Sequence, residues 1–324
     1  MTNLTDKNQP SDVKNLYKYV SLSEWDFENI YKEQIFLRTA SSFNDVFDSA
    51  PYYNKDVFNT ILKKHIDEYG MNLPSSLSSN IQSIEEKSNI FRRYFRNIWD
   101  SAYQDSALIT CFTEDKHSNI MWAHYGDLYQ GAVIEYDANE LISAARNHLI
   151  KLKEKGMFNI SNEILKRGPM LEKVMYSEYR SDISDDLLKA HDLIMKYGEP
   201  SDYNDSKYDE IKLTNEKFKE QQRALFYTKA KEWSYEKEWR LIIPNYFPEK
   251  AIPHTQHGKT LVIKLKPKAI ILGYKIPKYK AKGIIQLCIE KNISLYGSGP
   301  DYFSDKPSIV VEPLKESFII EMLK

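Results

Sequence analysis

Glycine is scarce in this chain: 11 in 324 residues, about half of a usual share of roughly 7%. All but Gly70 lie after residue 125. A glycine-built phosphate loop is therefore excluded from the first third. No G-x-G-x-x-G and no G-x-x-x-x-G-K-[ST] occurs anywhere, so neither a dinucleotide fingerprint nor a P-loop is present. Cysteine is scarcer still. Cys111 and Cys288 are the two in the chain, too few and too far apart for a disulfide framework or a metal spacing. A reducing cytoplasm is the expected compartment. Charge of one sign is lacking too: 45 Lys and Arg face 46 Asp and Glu, a net charge of −1. That removes the electrostatic argument for nucleic acid or an anionic membrane. No apolar run reaches the ~18 residues of a membrane helix. The opening MTNLTDKNQPSDVKN has no apolar core of a secretory signal.

What is present is a core-forming, aromatic-rich composition. Hydrophobic residues make 42% of the chain and aromatics 13%, with 23 tyrosines. Residues 1–15 read as a disordered leader, and 16–324 as a single α+β domain with helical insertions at about 55–105 and 139–232. Leu16–Val20, Gln34–Thr39, Leu108–Thr113, Gly131–Tyr136 and Tyr235–Ile243 read as strands. Later strands are expected at Leu261–Leu265, Ala269–Leu272, Ile293–Tyr296 and Ile309–Glu312, with a helix at about 278–291 among them. Ser21 and Glu24 predict a capping box, ahead of a helix that buries Trp25 and Ile30. Phe43–Asp48 reads as an Asx-type turn. Strands at both ends with helices between them suit α+β better than regular alternation.

Three clusters carry chemistry. The densest is Trp233-Ser234-Tyr235-Glu236-Lys237-Glu238-Trp239-Arg240. Strand alternation would put Glu236, Glu238 and Arg240 on one face. Two carboxylates and a guanidinium beside large aromatics are costly to bury unpaired. They form either a solvated face with an Arg–Glu pair or a catalytic Glu-x-Glu held by Arg240. The second cluster joins Trp122, His124, Tyr125, Asp127 and Tyr129 ahead of Gly131. It reads either as a packed aromatic helix with His124 as a satisfied core residue, or as a ligand wall. The third sets Lys18 and Tyr19 near Thr39, Ser41, Asn44 and Asp45. It is either an edge strand beside an Asx turn, or a first strand that presents a cation and aromatic rings to a ligand. No metal set is expected: His117 and His124 lack a third ligand, and His254 and His257 lack carboxylate or cysteine support. Cys111, inside an apolar strand, reads as an inert thiol. Arg92, Arg93 and Arg96 read as a solvated helix face.

In order along the chain, several segments resemble the bacterial family of domains of unknown function numbered 2971. They are Leu16-Tyr17-Lys18-Tyr19, Phe43-Asn44-Asp45, Ile109–Thr113, Met121–Gly126 with Gly131, Lys229 with Trp233–Arg240, and Ile270–Gly273. The resemblance covers roughly residues 16–275. Val46 stands where that family often has proline. More distantly, the opening strand, helix and second strand resemble the start of ADP-ribosyltransferase folds. This resemblance implies a central mixed or antiparallel sheet with NAD as substrate. It also implies three site positions on three strands: Lys18 or Tyr19 first, in place of the usual His or Arg, then Thr39 or Tyr125, then Glu238. Tyr19, Trp122 or Tyr125 would stack on the nicotinamide. The expected activity is transfer of ADP-ribose to an unknown protein, nucleic-acid or small-molecule acceptor, or NAD cleavage, in a setting such as phage defence. The alternatives are a metal-dependent nuclease or toxin using Glu236 and Glu238, and a non-catalytic sensing or interaction domain.

Overall fold

A computed structural model describes residues 13–45, 47–50, 52, 54, 56, 57, 59, 60, 104, 107–156, 169–180, 182, 224–245, 254, 255 and 258–324. The expected helical stretch at 55–105 and the basic face of Arg92, Arg93 and Arg96 lie almost wholly outside them. So does most of 182–223, and so do residues 1–12. The chain divides into two compact units. One comprises Met1–Ser42, Ser106–Val174 and Glu232–Lys324; the other comprises Phe43–Asp105 and Met175–Lys231.

The first unit is built on a large mixed sheet with helices, as expected of an α+β protein. Its strands are β1 (Asn15–Val20), β2 (Gln34–Thr39), β3 (Ala107–Thr113), β4 (Ala132–Asp137), β5 (Met170–Lys173), β8 (Glu238–Pro244), β9 (His254–Thr255), β10 (Gly258–Lys264), β11 (Ala269–Leu272), β12 (Ser294–Pro300) and β13 (Ile309–Pro313). The order is β13-β12-β11-β4-β1-β3-β2-β10-β9, with β8 lying between β3 and β5. All pairings are antiparallel except β11–β12. That single parallel step is crossed by a helix, as a parallel pair requires. The helices are α1 (Glu24–Tyr31), α2 (Asn119–His124), α3 (Ala138–Glu154), α4 (Lys278–Lys291) and α5 (Glu316–Leu323).

Local chemistry accounts for these boundaries. Ser23 caps α1, with Asp26 returning the bond to the Ser23 backbone. The capping box therefore sits two residues later than Ser21 and Glu24 suggested; Ser21 instead donates to Asp26 Oδ2 at 3.2 Å. Asp137 caps α3 through Asn139 N and Glu140 N. Helix α4 ends at Asn292, whose left-handed φ of 51° suits asparagine better than most residues.

One sheet face carries the main core. Leu16, Val20, Leu37, Leu108, Phe112, Ile134, Leu241, Ile243 and Ile270 pack there with Leu141 and Ala145 of α3 and Ile284 and Ile285 of α4. The other face carries a smaller aromatic cluster of Tyr17, Tyr19, Trp122, Val133, Ile271 and Ile309. Period-two alternation along β1 divides the two sets.

The second unit, among the described residues, contains the parallel pair β6 (Met175–Ser177) and β7 (Thr228–Ala230). β5, β6 and β7 all fall within 139–232, where a helical insertion was expected. Thr228 is β-branched, but three residues are too short a run to read as a strand. Buried Lys229 lies 3.7 Å from buried Asp48, which accepts from Ser49 Oγ at 3.0 Å. Among the described residues no helix is long and apolar enough to cross a membrane.

Two glycines are required by close approach. A Cβ on Gly131 would stand 2.1 Å from Val20 O, and one on Gly273 2.1 Å from Tyr129 O. Both contacts are with backbone, so no side chain can yield. Gly131→Ala is expected to cost about 1–3 kcal/mol or more. Gly299→Ala, with open space around its Cβ, should cost less. Urea unfolding of the two variants beside wild type checks this ordering.

Candidate functional site

Tyr235–Ile243 does not form one continuous strand. A short 3-10 helix runs from Lys231 to Glu236, and β8 begins at Glu238. Between them Lys237 takes a φ of 45°, a strained value for a residue with a side chain. This kink breaks the alternation, so Glu236 and Glu238 have different surroundings. The Glu236 carboxylate, 4% exposed, accepts the Tyr125 hydroxyl at 2.6 Å. The Glu238 carboxylate, also 4% exposed, takes two bonds from Arg240: Nε to Oε1 at 2.8 Å and a terminal nitrogen to Oε2 at 3.1 Å. Arg240 is 0% exposed. The solvated strand face is thus overturned, because both ends of this pair are buried. The bidentate form is the strong geometry for such a pair.

Strand register shows which neighbours share Glu238's face. Glu238 stands opposite Thr113, and Thr113 opposite Tyr17. Tyr17 and Tyr19 of β1 and Cys111 of β3 therefore share that face. The Cys111 thiol is pushed well up by burial and then by the Glu238 carboxylate it bonds, which makes it an inert thiol. Lys18 points from the opposite face of β1. Thr39 stands opposite Leu108 and so shares the core face, where its hydroxyl is bonded to Ser41 Oγ at 2.8 Å. Of the expected site residues, the sheet therefore brings Tyr19 to Glu238's side but neither Lys18 nor Thr39.

The aromatic residues also have separate duties. Trp122 is 0% exposed. Its indole donates to Lys116 O at 3.0 Å. Its ring meets Tyr19 edge-on at 5.3 Å and stacks with Tyr129 at 6.4 Å. It is a structural brace with no face left for a nicotinamide. Tyr19 donates to Asp115 O at 3.0 Å, and burial raises its pKa. Three successive residues, Asp127, Leu128 and Tyr129, have φ between 51° and 70°. This costly backbone is held by Gly126, Gly131 and Gly273 packing around it. Tyr125 remains half-buried, while His124 is exposed rather than a core histidine. His124 Nδ1 lies 3.0 Å from Tyr235 Oη, and Tyr235 lies 6.1 Å from Trp233, ring to ring. Tyr125 is thus bonded to Glu236, while its helix neighbour His124 meets Tyr235, which lies beside Trp233. Alternation on a single long strand had put Tyr235 on the wrong side of this group. The signal that identifies it is the helical turn, legible only through the Lys237 kink.

An open depression of about 510 Å³ lies among Lys14, Tyr17, Glu114, Asp115 and Lys237, at the end of the sheet where Glu238 begins β8. Lys237 bonds Asp115 at 2.8 Å. Lys173 and the Trp239 indole bond Glu114 at 2.8 and 3.0 Å. Burial pushes both acids upward, but these partners hold each below the ordinary carboxylate range. Among the described residues no three His, Cys, Asp or Glu side chains gather as a metal set.

The model of the family described as protein of unknown function (DUF2971) matches residues 121–241. That span runs from α2 to β8. It contains Trp122, Tyr125, Glu236, Glu238 and Arg240, but not Lys18, Tyr19 or Thr39. No curated protein and no solved structure matches the chain.

Breaking the pair at the base of this DUF2971-matched span has a defined cost. Glu238→Gln removes the carboxylate charge that holds the buried Arg240 guanidinium by two bonds, an expected loss of about 3–5 kcal/mol. The double variant Glu238→Leu with Arg240→Met, which removes both charges, should unfold at higher denaturant than Glu238→Gln alone. Guanidinium unfolding of the three proteins checks this.

Proposed function

We propose that the first unit is an ADP-ribosyltransferase-like enzyme that takes NAD as substrate, with Glu236 as the reacting carboxylate and Tyr125 as its positioning partner. The observation that carries this reading is the Tyr125–Glu236 bond of 2.6 Å, with the chain neighbours His124 and Tyr235 in contact at 3.0 Å. Cleaving the nicotinamide–ribose bond develops positive charge on the ribose. A preorganised carboxylate facing that carbon stabilises the developing charge. The phenol of Tyr125 fixes the carboxylate rotamer, so no reorganisation is needed as the charge appears. The half-buried rings of Tyr125, Trp233 and Tyr235 offer apolar surface for the nicotinamide. Nothing in this arrangement needs a glycine loop. Glu238, expected in the third place, serves here as the counter-ion that fixes Arg240 beneath the site.

Both Glu238 oxygens are already engaged by Arg240. This weighs against the metal-dependent nuclease, since a cation would have to displace a bidentate guanidinium. A non-catalytic interaction domain is favoured by a different fact: Glu236 and Glu238 are both buried and internally bonded.

One experiment separates these readings. The full chain is incubated with NAD and free nicotinamide is followed by chromatography. Release is expected, with Glu236→Gln lowering it about 100-fold or more while circular dichroism stays native. Tyr125→Phe should lower it by less. No release, with no NAD binding by calorimetry, would refute the enzyme and leave the interaction domain.

A further inference from the structure

Two cations stand where β1 and β2 part company along β3. Both strands use the same edge of β3: β1 pairs at Tyr17–Thr113, and β2 at Arg38–Ile109 and Thr39–Leu108. Lys18 occupies the gap between. Its Nζ donates to Thr110 Oγ1 at 3.2 Å and to Cys111 O at 3.0 Å. It lies 5.4 Å from the Phe112 ring centre and 5.8 Å from that of Phe36. The Arg38 guanidinium lies over the same Phe36 ring at 4.4 Å. Its Nε is buried with no hydrogen-bond partner among the described residues.

Neither cation has a carboxylate oxygen within 4.0 Å among the described residues. The acid whose field reaches both is Asp26. Its Oδ2 is turned into the cap of α1, where it accepts from Ser21 Oγ, Ser23 N and Ser23 Oγ. Burial lowers the pKa of both cations, and Arg38 lowers that of Lys18 further. Lys18 and Arg38 are both half-buried, and charges drawn partly out of water are commonly matched by a partner. Here the fold supplies hydrogen-bond acceptors, aromatic rings and the more distant fields of Asp26 and, at Lys18, Glu238, but no carboxylate in direct contact.

We propose that the fork between β1 and β2 is an anion site, in which Lys18 and Arg38 hold the phosphoryl or diphosphoryl group of a small molecule. The inference goes beyond the transferase reading and stands without it. A guanidinium braced flat on Phe36 presents its donors in a fixed plane, as phosphate recognition favours, and Lys18 adds a point charge. The site is bounded by two strands of one sheet. With a net charge of −1 for the whole chain there is no excess of basic residues to follow a nucleic-acid backbone. A small phosphate compound fits this setting.

The test is calorimetry on the full chain with inorganic phosphate, inorganic pyrophosphate and ADP-ribose. The variants are Arg38→Met, Lys18→Met and, as a remote control, Lys306→Met. Pyrophosphate is expected to bind wild type and Lys306→Met alike, and at least ten-fold more weakly to Arg38→Met and Lys18→Met. Arg38→Met should keep the melting temperature of ligand-free wild type, since no hydrogen bond at Nε is lost; it decides the matter if Lys18→Met does not fold. Absence of binding by all three probes, or equal affinity in Arg38→Met, would overturn the site. Pyrophosphate binding that depends on Arg38, with no nicotinamide release from NAD, would keep the site and remove the transferase. Nicotinamide release with no binding of pyrophosphate or ADP-ribose would do the reverse.

Discussion

A guanidinium with no solvent exposure must be neutralised where it stands, and Arg240 is such a group. Its bidentate pair with Glu238 sets much else in the first unit. The pair joins two residues on one face of β8, which runs antiparallel to β3 with Glu238 opposite Thr113 and Arg240 opposite Cys111. It needs the thiol of Cys111 neutral, which burial and the adjacent carboxylate ensure. Glu238 is also the first residue of β8, and the chain turns sharply just before it. The turn is made at Lys237 in the left-handed region, and it lifts Glu236 out of the sheet toward Tyr125. The kink thus separates two carboxylates that are close in sequence, one paired with Arg240 and one with Tyr125.

That separation is also why the site was only half legible in the sequence. Period-two alternation held for β1, β2, β3 and β4, where β-branched and aromatic residues pack against one dominant core. It located Ala269–Leu272, and the expected helix at 278–291 matches α4. It failed at Tyr235–Glu238 because a positive φ on a lysine leaves no signature in residue type. The capping box moved from Ser21 to Ser23 because two serines in Ser21-Leu22-Ser23 could each begin the helix. Leu22 at φ 58° rules out a start at Ser21. Strand pairing at a distance is not written in local pattern either. The alternate faces of Lys18 and Tyr19 were readable, but not which of them would meet Glu238.

The family comparison sits unevenly on this architecture. Its matched span of 121–241 carries the aromatic helix, the 3-10 turn and β8, together with much of the second unit. The fork of β1 and β2, where two cations share Phe36, lies outside it. The two regions differ in chemistry as well: one gathers acids and phenols, the other uncompensated positive charge. Glycine scarcity takes on a meaning in this light. The few glycines that matter, Gly126, Gly131 and Gly273, pack around a strained turn behind the aromatic wall instead of cradling a phosphate. Any nucleotide chemistry here rests on side chains.

In the transferase proposed above, Glu236, held by Tyr125, is the group that meets a substrate ribose. The most direct measurement is a crystal structure of the full chain with a non-cleavable NAD analogue. The nicotinamide ribose is expected against the Glu236 carboxylate, with the nicotinamide on the rings of Tyr125, Trp233 or Tyr235. An analogue bound elsewhere, with the Tyr125–Glu236 pair closed and unvisited, would contradict it.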